Sequence, residues 1–356
     1  MHTLTEVEAL EGEPGHFTAV LQEAPRYVDT EKCIACGVCA EKCPRKVDDP
    51  YNEGLAKRKA IYVQYPQAVP LKYAIDRDHC IYFEKGTCRA CEKFCPAGAI
   101  DFEQTPKTHR VDVGAVLLAA GSQALDPVLY KDYGYGRFPN VITSMAFERI
   151  LSATGPFRGH LTRPSDGKTP EKIAWLQCVG SRETTKGAHP YCSGVCCMYA
   201  VKEAVIAQEH AGGALDTAIF FMDMRTHGKD FDRYYARARS EAGVRFIRSR
   251  IHTVETAGPG SDDLVLTYVD ENGARLSERF DLVVLSVGLE IGAEARAMAE
   301  RLGVALDADG FVQTGCLGPV ETSRPGIFAC GALVRPVAMP QYVASASGAA
   351  YATRGI

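Results

Sequence analysis

The pattern of apolar and polar positions changes character along this chain, and the changes divide it. The first 25 residues read as strand–turn–strand, with Glu13-Pro14-Gly15 at the turn. Residues 26–105 are broken by many short turns. An apolar strand, VDVGAVLLAAG (111–121), follows and ends in glycine. Residues 122–170 are rich in Gly, Pro and Tyr and read as loops, with one helix in SMAFERILSA (144–153). From residue 171 the pattern becomes α/β. KIAWLQCVG (172–180) is a buried strand, and CCMYAVKEAVIAQEH (196–210) an amphipathic helix with Val201, Ala204, Val205 and Gln208 at helical spacing. TAIFFMDMR (217–225) is the next strand, and FDRYYARARSEAG (231–243) a helix stopped by Gly243. VRFIRSRIHTVE, LVLTYVD and RFDLVVLSVG read as further strands, GIFACGALVRP (326–336) closes the series, and YVASASGAAYAT (342–353) is a small-residue helix. Strands alternating with helices predict parallel βαβ units.

Composition narrows the function classes. A chain of 356 residues, 46% hydrophobic and 24% charged, supports two or three cored domains. A formal charge of -4 gives no basic field for nucleic acid. No apolar run reaches the ~18 residues of a spanning helix, and the acidic start MHTLTEVEALEGEPG has no apolar signal core, so a cytoplasmic location is expected. Fourteen cysteines are too few for a disulfide scaffold. Clustered in a reducing compartment, they point to metal or redox chemistry.

Eight of them form a doubled pattern: Cys33-x2-Cys36-x2-Cys39-x3-Cys43-Pro44, then Cys80-x7-Cys88-x2-Cys91-x3-Cys95-Pro96. In two-cluster ferredoxins the fourth cysteine of such a run ligates the other cluster. The expected sets are therefore Cys33, Cys36, Cys39 and Cys95 for one [4Fe–4S] cluster, and Cys80, Cys88, Cys91 and Cys43 for the other. The longer first gap of the second run requires a small extra loop, Tyr82 to Thr87. Structural zinc uses paired C-x2-4-C ends, which two runs of three cysteines followed by proline fit poorly. His79, beside Cys80, reads as a solvated or capping residue.

A third group comprises Cys178, at the end of its strand, and Cys192, Cys196 and Cys197, before and within the first turn of the next helix. A dinucleotide-binding βαβ unit carries G-x-G-x-x-G at this place, and the chain has no such triplet. A helix N-terminus favours anions, so the four thiolates could hold a third cluster there. A redox dithiol or simple buried cysteines are the alternatives. Cys316 and Cys330 read as isolated buried residues, Trp175 as core, and Lys57-Arg58-Lys59 as a solvated loop.

Taken together, the doubled ferredoxin motif, GAVLLAAG, YGYGRFPNVITSMAFERILSATGP, RPSDGKTPEKIAWLQCVGSR, YCSGVCCMYA and GIFACG resemble the iron–sulfur and flavin-containing A subunit of CoB–CoM heterodisulfide reductase and its bacterial relatives. The resemblance covers essentially the whole chain and is most specific around residues 133–200. It implies an α/β, partial thioredoxin-reductase-like fold of two dinucleotide-binding domains with an inserted α+β dicluster ferredoxin domain. The implied partition is 1–25, 106–167 and 291–356 as a partial FAD-binding-like domain, 26–105 as the 2[4Fe–4S] ferredoxin insert, and 168–290 as a degenerate NAD(P)-binding-like domain with the cysteine group. It also implies FAD, several [4Fe–4S] clusters, a third cluster on Cys178, Cys192, Cys196 and Cys197, and electron transfer to other redox subunits, either heterodisulfide reductase B/C-like or linked to a hydrogenase or dehydrogenase. Gly121, Gly331, Ala332 and the helix start around Val343 and Ala344 would face the flavin.

Two departures qualify this. The family's Gly-rich βαβ unit precedes the segment present here, so FAD binding is expected to need a second chain supplying that half. Cys330-Gly331-Ala332 stands where related flavoproteins carry Gly-Asp. The expected function is an electron-transferring oxidoreductase subunit. A non-enzymatic ferredoxin-type module on a degenerate flavoprotein scaffold is the alternative, and a zinc-stabilised interaction protein is disfavoured.

Overall fold

The computed structural model describes residues 1–185 and 187–356. The chain forms two compact units, residues 1–12 with 18–112 and residues 13–17 with 113–356. Most of the opening strand pair thus groups with the ferredoxin-like segment, where sequence assigned it to the FAD-like part.

In the first unit a three-stranded sheet orders Thr5–Glu13, His16–Glu23 and Lys107–Val113, with His16–Glu23 in the centre. The tips of these strands belong to the second unit. The turn expected at Glu13-Pro14-Gly15 is present, with Gly15 at φ +89°. Between the second and third strands lies a cysteine-rich subdomain of very short elements. Lys46–Asp48 pairs antiparallel with Lys57–Lys59, and Ile61–Tyr62 with Ala74–Ile75. An antiparallel bridge between Val28 and Ile100 joins its two ends. Its core mixes apolar side chains (Tyr27, Ile61, Ile75, Phe102) with the cysteines themselves. So little regular structure buries little apolar surface, and small subdomains of this kind commonly draw stability from bound metals or disulfides.

Two expectations for this region are corrected. The gap between Cys80 and Cys88 is a helical turn, Ile81–Lys85, closed by Gly86 in the left-handed region at φ +67°, and not an open loop. Lys57-Arg58-Lys59 is a strand with its cations engaged. Lys57 pairs with Asp48 at 2.6 Å, Arg58 with Asp76 at 2.6 Å, and Lys59 Nζ donates to the Cys43 carbonyl.

The second unit is built on a five-stranded, all-parallel sheet in the order Val141–Thr143, Leu282–Val287, Lys172–Val179, Asp216–Phe220, Arg245–Ile247. Lys172–Val179 and Leu282–Val287 are buried almost throughout, which is why their sequences run apolar without alternating. Helix Cys196–His210 connects two of these strands and turns Ala200, Val201, Ala204 and Ala207 inward. Trp175 is fully buried against Phe147, ring edge to face at 5.4 Å. The strands Val254–Thr256, Leu264–Val269 and Arg275–Phe280 form an antiparallel sheet, a departure from the uniform βαβ expectation. Short connections without helices permit only antiparallel neighbours there.

The apolar run at 111–121 is split. Lys107–Val113 joins the three-stranded sheet, whereas Val116–Leu118 pairs parallel with Ile327–Ala329. Gly114 lies at the break and accepts the Gly15 N–H at 2.9 Å. The last helix spans Met339–Ala352. No helix among the described residues is long and apolar enough to cross a membrane.

Candidate metal centres

Each cysteine quartet surrounds its own cavity, and the three cavities are alike in size, about 330, 320 and 310 Å³ with their open mouths included. Cys33, Cys36, Cys39 and Cys95 line one of them, with Tyr73 and Ile100. The local chain explains the arrangement. Asp29 accepts backbone N–H bonds from Glu31 and Lys32 at 2.9 and 3.3 Å, and its carbonyl accepts the Cys33 N–H at 2.9 Å. This wraps the chain into the first cysteine step. Gly37 then caps helix Val38–Lys42 at φ +85°, where a side chain would press on the Tyr73 hydroxyl. Ala99 donates its backbone N–H to Cys95 Sγ at 3.3 Å.

Cys43, Cys80, Cys88 and Cys91 line a second cavity, walled by Ile61, Ile75 and Ile81. Cys43 ends helix Val38–Lys42 in extended conformation, and Pro44 carries the chain onward. The fourth cysteine of each run therefore faces the cavity of the other run. Cys88 sits at φ +74°, a conformation that L-residues seldom adopt. His79 is exposed and bonded to Asp76 at 2.9 Å, away from the quartet.

The third quartet is Cys178, Cys192, Cys196 and Cys197, around a cavity that also touches Arg182 and Arg225. Its strand is deformed to make the site. The register of Lys172–Val179 shifts between Leu176 and Val179, and Cys178 lies at φ +60°. The bulge takes the thiol out of the sheet's alternation. Gly194 N–H donates to Cys192 Sγ at 3.4 Å, and Cys196 and Cys197 occupy the first turn of Cys196–His210. Arg182 and Arg225 share Asp223. Cys330 is buried as expected, but Cys316 is exposed, because its Cys-Leu-Gly turn follows no buried strand.

Electrostatics bear on what these sites can hold. Burial, with repulsion from the neighbouring cysteines, pushes Cys39 up to about 11, Cys91 and Cys196 to about 12, and Cys197 to about 11. Cys178 also rises through burial, against the pull of Arg182. Four thiolates in such a cavity need a compensating cation, which a metal core supplies. The spacing discriminates between cores. A single tetrahedral zinc with Zn–S bonds of about 2.3 Å holds its sulfurs about 3.8 Å apart. Among the described residues, only His2, Glu23 and His109 form a set of three or more ligand atoms all within 4.8 Å of one another, so no cysteine triplet is that tight. Each quartet is looser than a preformed tetrahedral zinc site, as a larger polynuclear core requires.

The residues expected near a flavin lie at one end of a parallel strand pair. Gly121 and Gly331 follow the C-terminal ends of Val116–Leu118 and Ile327–Ala329, the end where open parallel sheets take ligands. Both have positive φ, +79° and +73°, and open space where a Cβ would stand. Gly331 N–H donates to Ser345 Oγ at 3.1 Å, tying it to helix Met339–Ala352, on which Val343 and Ala344 are exposed and Ala332 is partly buried nearby in the chain. The two glycines thus leave backbone open at the end of this strand pair. The pyrophosphate end finds no Gly-rich turn in this sequence.

Fold and cysteine quartets together define an α/β chain carrying the thiol donor sets that iron–sulfur proteins use. The pyridine nucleotide-disulphide oxidoreductase family model matches residues 214–349, and the 4Fe-4S binding domain model matches residues 26–47. The chain is a homologue of the iron–sulfur A subunits of heterodisulfide reductases. It is 41% identical over 98% of its length to the iron–sulfur A subunit of the CoB–CoM heterodisulfide reductase of Methanocaldococcus jannaschii, covering 52% of that protein. It is 43% identical to the second of the corresponding A subunits of Methanopyrus kandleri, with 98% and 53% covered. The A subunit of the H2:CoB–CoM heterodisulfide,ferredoxin reductase of Methanothermobacter marburgensis is 38% identical, with 98% and 52% covered. The chain thus spans about half the length of the curated relatives it matches. Among solved structures, thioredoxin reductase of Lactococcus lactis aligns with a TM-score of 0.45 and 16% identity over 83% of this chain and 84% of that one.

Proposed function

We propose that this chain is the electron-relaying part of a heterodisulfide-reductase-A-type oxidoreductase, holding three [4Fe–4S] clusters and contributing one side of a FAD site. The carrying observation is the set of three separate cysteine quartets, each around its own cavity. Bound clusters supply one-electron redox chemistry, and a flavin couples it to two-electron chemistry.

The chain's own residues do the rest. Cys33, Cys36, Cys39 and Cys95 hold one cluster, Cys43, Cys80, Cys88 and Cys91 the next, and Cys178, Cys192, Cys196 and Cys197 the third. The isoleucine walls of the second cavity keep water from its sulfurs, and Arg182 and Arg225 offset negative charge at the third. Gly121, Gly331, Ala332, Val343 and Ala344 flank the flavin. The assigned domains are 26–105 as ferredoxin, 168–290 as the cysteine-bearing α/β domain, and 106–167 with 291–356 as the FAD-like part. Partner subunits of the heterodisulfide reductase B/C type, or linked to a hydrogenase or dehydrogenase, donate and accept the electrons. A further polypeptide segment supplies the Gly-rich FAD half. The setting is the cytoplasm, where thiols stay reduced.

The test is anaerobic reconstitution of the chain with iron, sulfide and FAD, followed by dithionite reduction and electron paramagnetic resonance. Signals of three reduced [4Fe–4S] clusters per chain support the proposal, and a protein that takes up no iron and stays redox-silent refutes it.

A further inference from the structure

A second kind of site lies in the first unit, on side chains that the cysteine centres do not use. His2, Glu23 and His109 bring two imidazole nitrogens and a carboxylate oxygen within 4.8 Å of one another. His109 Nε2 is 2.6 Å from Glu23 Oε2, and the two imidazole rings lie 4.7 Å apart between centroids. The three residues come from different parts of the sheet. Glu23 ends the central strand His16–Glu23, His109 lies in Lys107–Val113, and His2 precedes Thr5–Glu13. The Ala24 N–H donates to the Leu4 carbonyl at 2.8 Å, which holds the segment bearing His2 alongside the end of the central strand.

We infer that His2, Glu23 and His109 form a mononuclear site for a borderline divalent cation, zinc being the representative ion. Two neutral imidazoles and one carboxylate are an established donor set for such ions, with a water completing four-coordination. Bonds of about 2.0–2.2 Å put ligand atoms about 3.3–3.5 Å apart. The ion therefore opens the 2.6 Å His109–Glu23 contact slightly and draws His2 inward, a movement within reach of an exposed side chain next to the chain start. No electron transfer is involved; the ion takes the place of the direct contact between His109 Nε2 and Glu23 Oε2. One neighbouring charge opposes it. Arg26, bonded to Thr3 Oγ1 at 2.7 Å, lies close enough to feel the Glu23 carboxylate and weakens cation binding.

The position gives the ion a purpose. Glu23 and His109 flank the whole cysteine-rich segment, so an ion bridging them clamps its entrance to its exit. Closing a long loop in this way removes conformational freedom from the opened chain and stabilises the base of the insert.

The test uses cluster-loaded protein, dialysed anaerobically against metal-free buffer and titrated calorimetrically with zinc chloride. The wild type is expected to take up one zinc per chain, and Glu23→Gln and His109→Gln each to weaken that binding at least tenfold with iron content unchanged. His2→Gln lies ahead of the sheet and cannot unfold it, so it decides the matter should either strand variant lose its clusters; it too is expected to weaken binding. No uptake by the wild type at 100-fold excess of zinc, or uptake unaltered in the variants, overturns the site.

Discussion

The indole N–H of Trp175 donates to Glu203 Oε2 at 2.8 Å, inside a fully enclosed space between strand Lys172–Val179 and helix Cys196–His210. The Ser144 hydroxyl lies near enough to Glu203 to act on its carboxyl. Burial pushes the Glu203 carboxyl well above the ordinary range, the charge of Glu148 adds to this, and the indole bond and Lys202 pull the other way. Folding therefore favours the protonated form of Glu203.

That upward shift has a pH signature. Below about pH 4.5 both folded and unfolded chains hold the proton. Above it, unfolding releases the proton, so stability falls as pH rises until the folded-state carboxyl itself ionises. Glu203→Gln keeps the acceptor for Trp175 and removes the titration. Its stability relative to wild type should grow with pH, by at most about 1.4 kcal/mol per unit. Thermal midpoints of both proteins at pH 5.5 and 8.0 measure this; a constant difference would contradict the upward shift of Glu203.

Cys43→Ser should damage the centre shared with Cys80, Cys88 and Cys91 and spare the one containing Cys33, although Cys43 belongs by sequence to the Cys33 run. Electron paramagnetic resonance of the reduced variant distinguishes the two. Loss confined to the Cys33 centre would show that the runs are not crossed.

Iron analysis of a fully reconstituted preparation should give about twelve irons per chain if all three quartets carry four-iron clusters. Cys197→Ser should lower this to about eight while leaving the ferredoxin signals intact. A wild type saturating near eight would remove the third centre.

Gly180 follows the bulged strand at φ +71°, and a Cβ there would collide with Leu125 Cδ2 and stand 2.7 Å from the Tyr130 hydroxyl. Gly180→Ala should destabilise the chain by about 2–4 kcal/mol, from left-handed strain and overpacking together. Because Cys178 lies two residues away, the third centre should be lost at a lower temperature than the ferredoxin centres, which absorbance followed during heating will show.

FAD added to this chain alone should bind weakly, since the open glycines 121 and 331 offer the ring end a place while no Gly-rich turn meets the pyrophosphate. Gel filtration after anaerobic incubation, with an absorption scan, checks the retained flavin. Stoichiometric retention would make the chain a self-sufficient flavoprotein.

The cysteine groups were legible because their logic is local. Two-residue steps bend a chain around one face of a core whatever surrounds it, and the parallel core strands announced themselves through unbroken apolar runs such as LVVLSV. What escaped depends on pairing between distant segments. Lys57-Arg58-Lys59 looked like a solvated loop because its partners, Asp48 and Asp76, are brought to it only by two short hairpins. The apolar run at 111–121 gave no sign that it serves two sheets, since the break at Gly114 is set by Gly15, far back in the chain. His2, Glu23 and His109 carry no spacing signal at all. Strand order alone brings them together.

The crossing of the two ferredoxin runs also fixes an order of events during synthesis. When Cys43 leaves the ribosome, three of the four thiols for one cavity and a single thiol for the other are available. The second set is completed only by Cys91 and the first only by Cys95, about 3–10 s later at ordinary elongation rates. Each half-made pocket is in that interval a loose chelator, open to whatever soft metal the cell offers. Loading with the right cofactor must therefore wait for the polypeptide, and a delivery system that acts on finished segments would find both vacancies complete at almost the same moment.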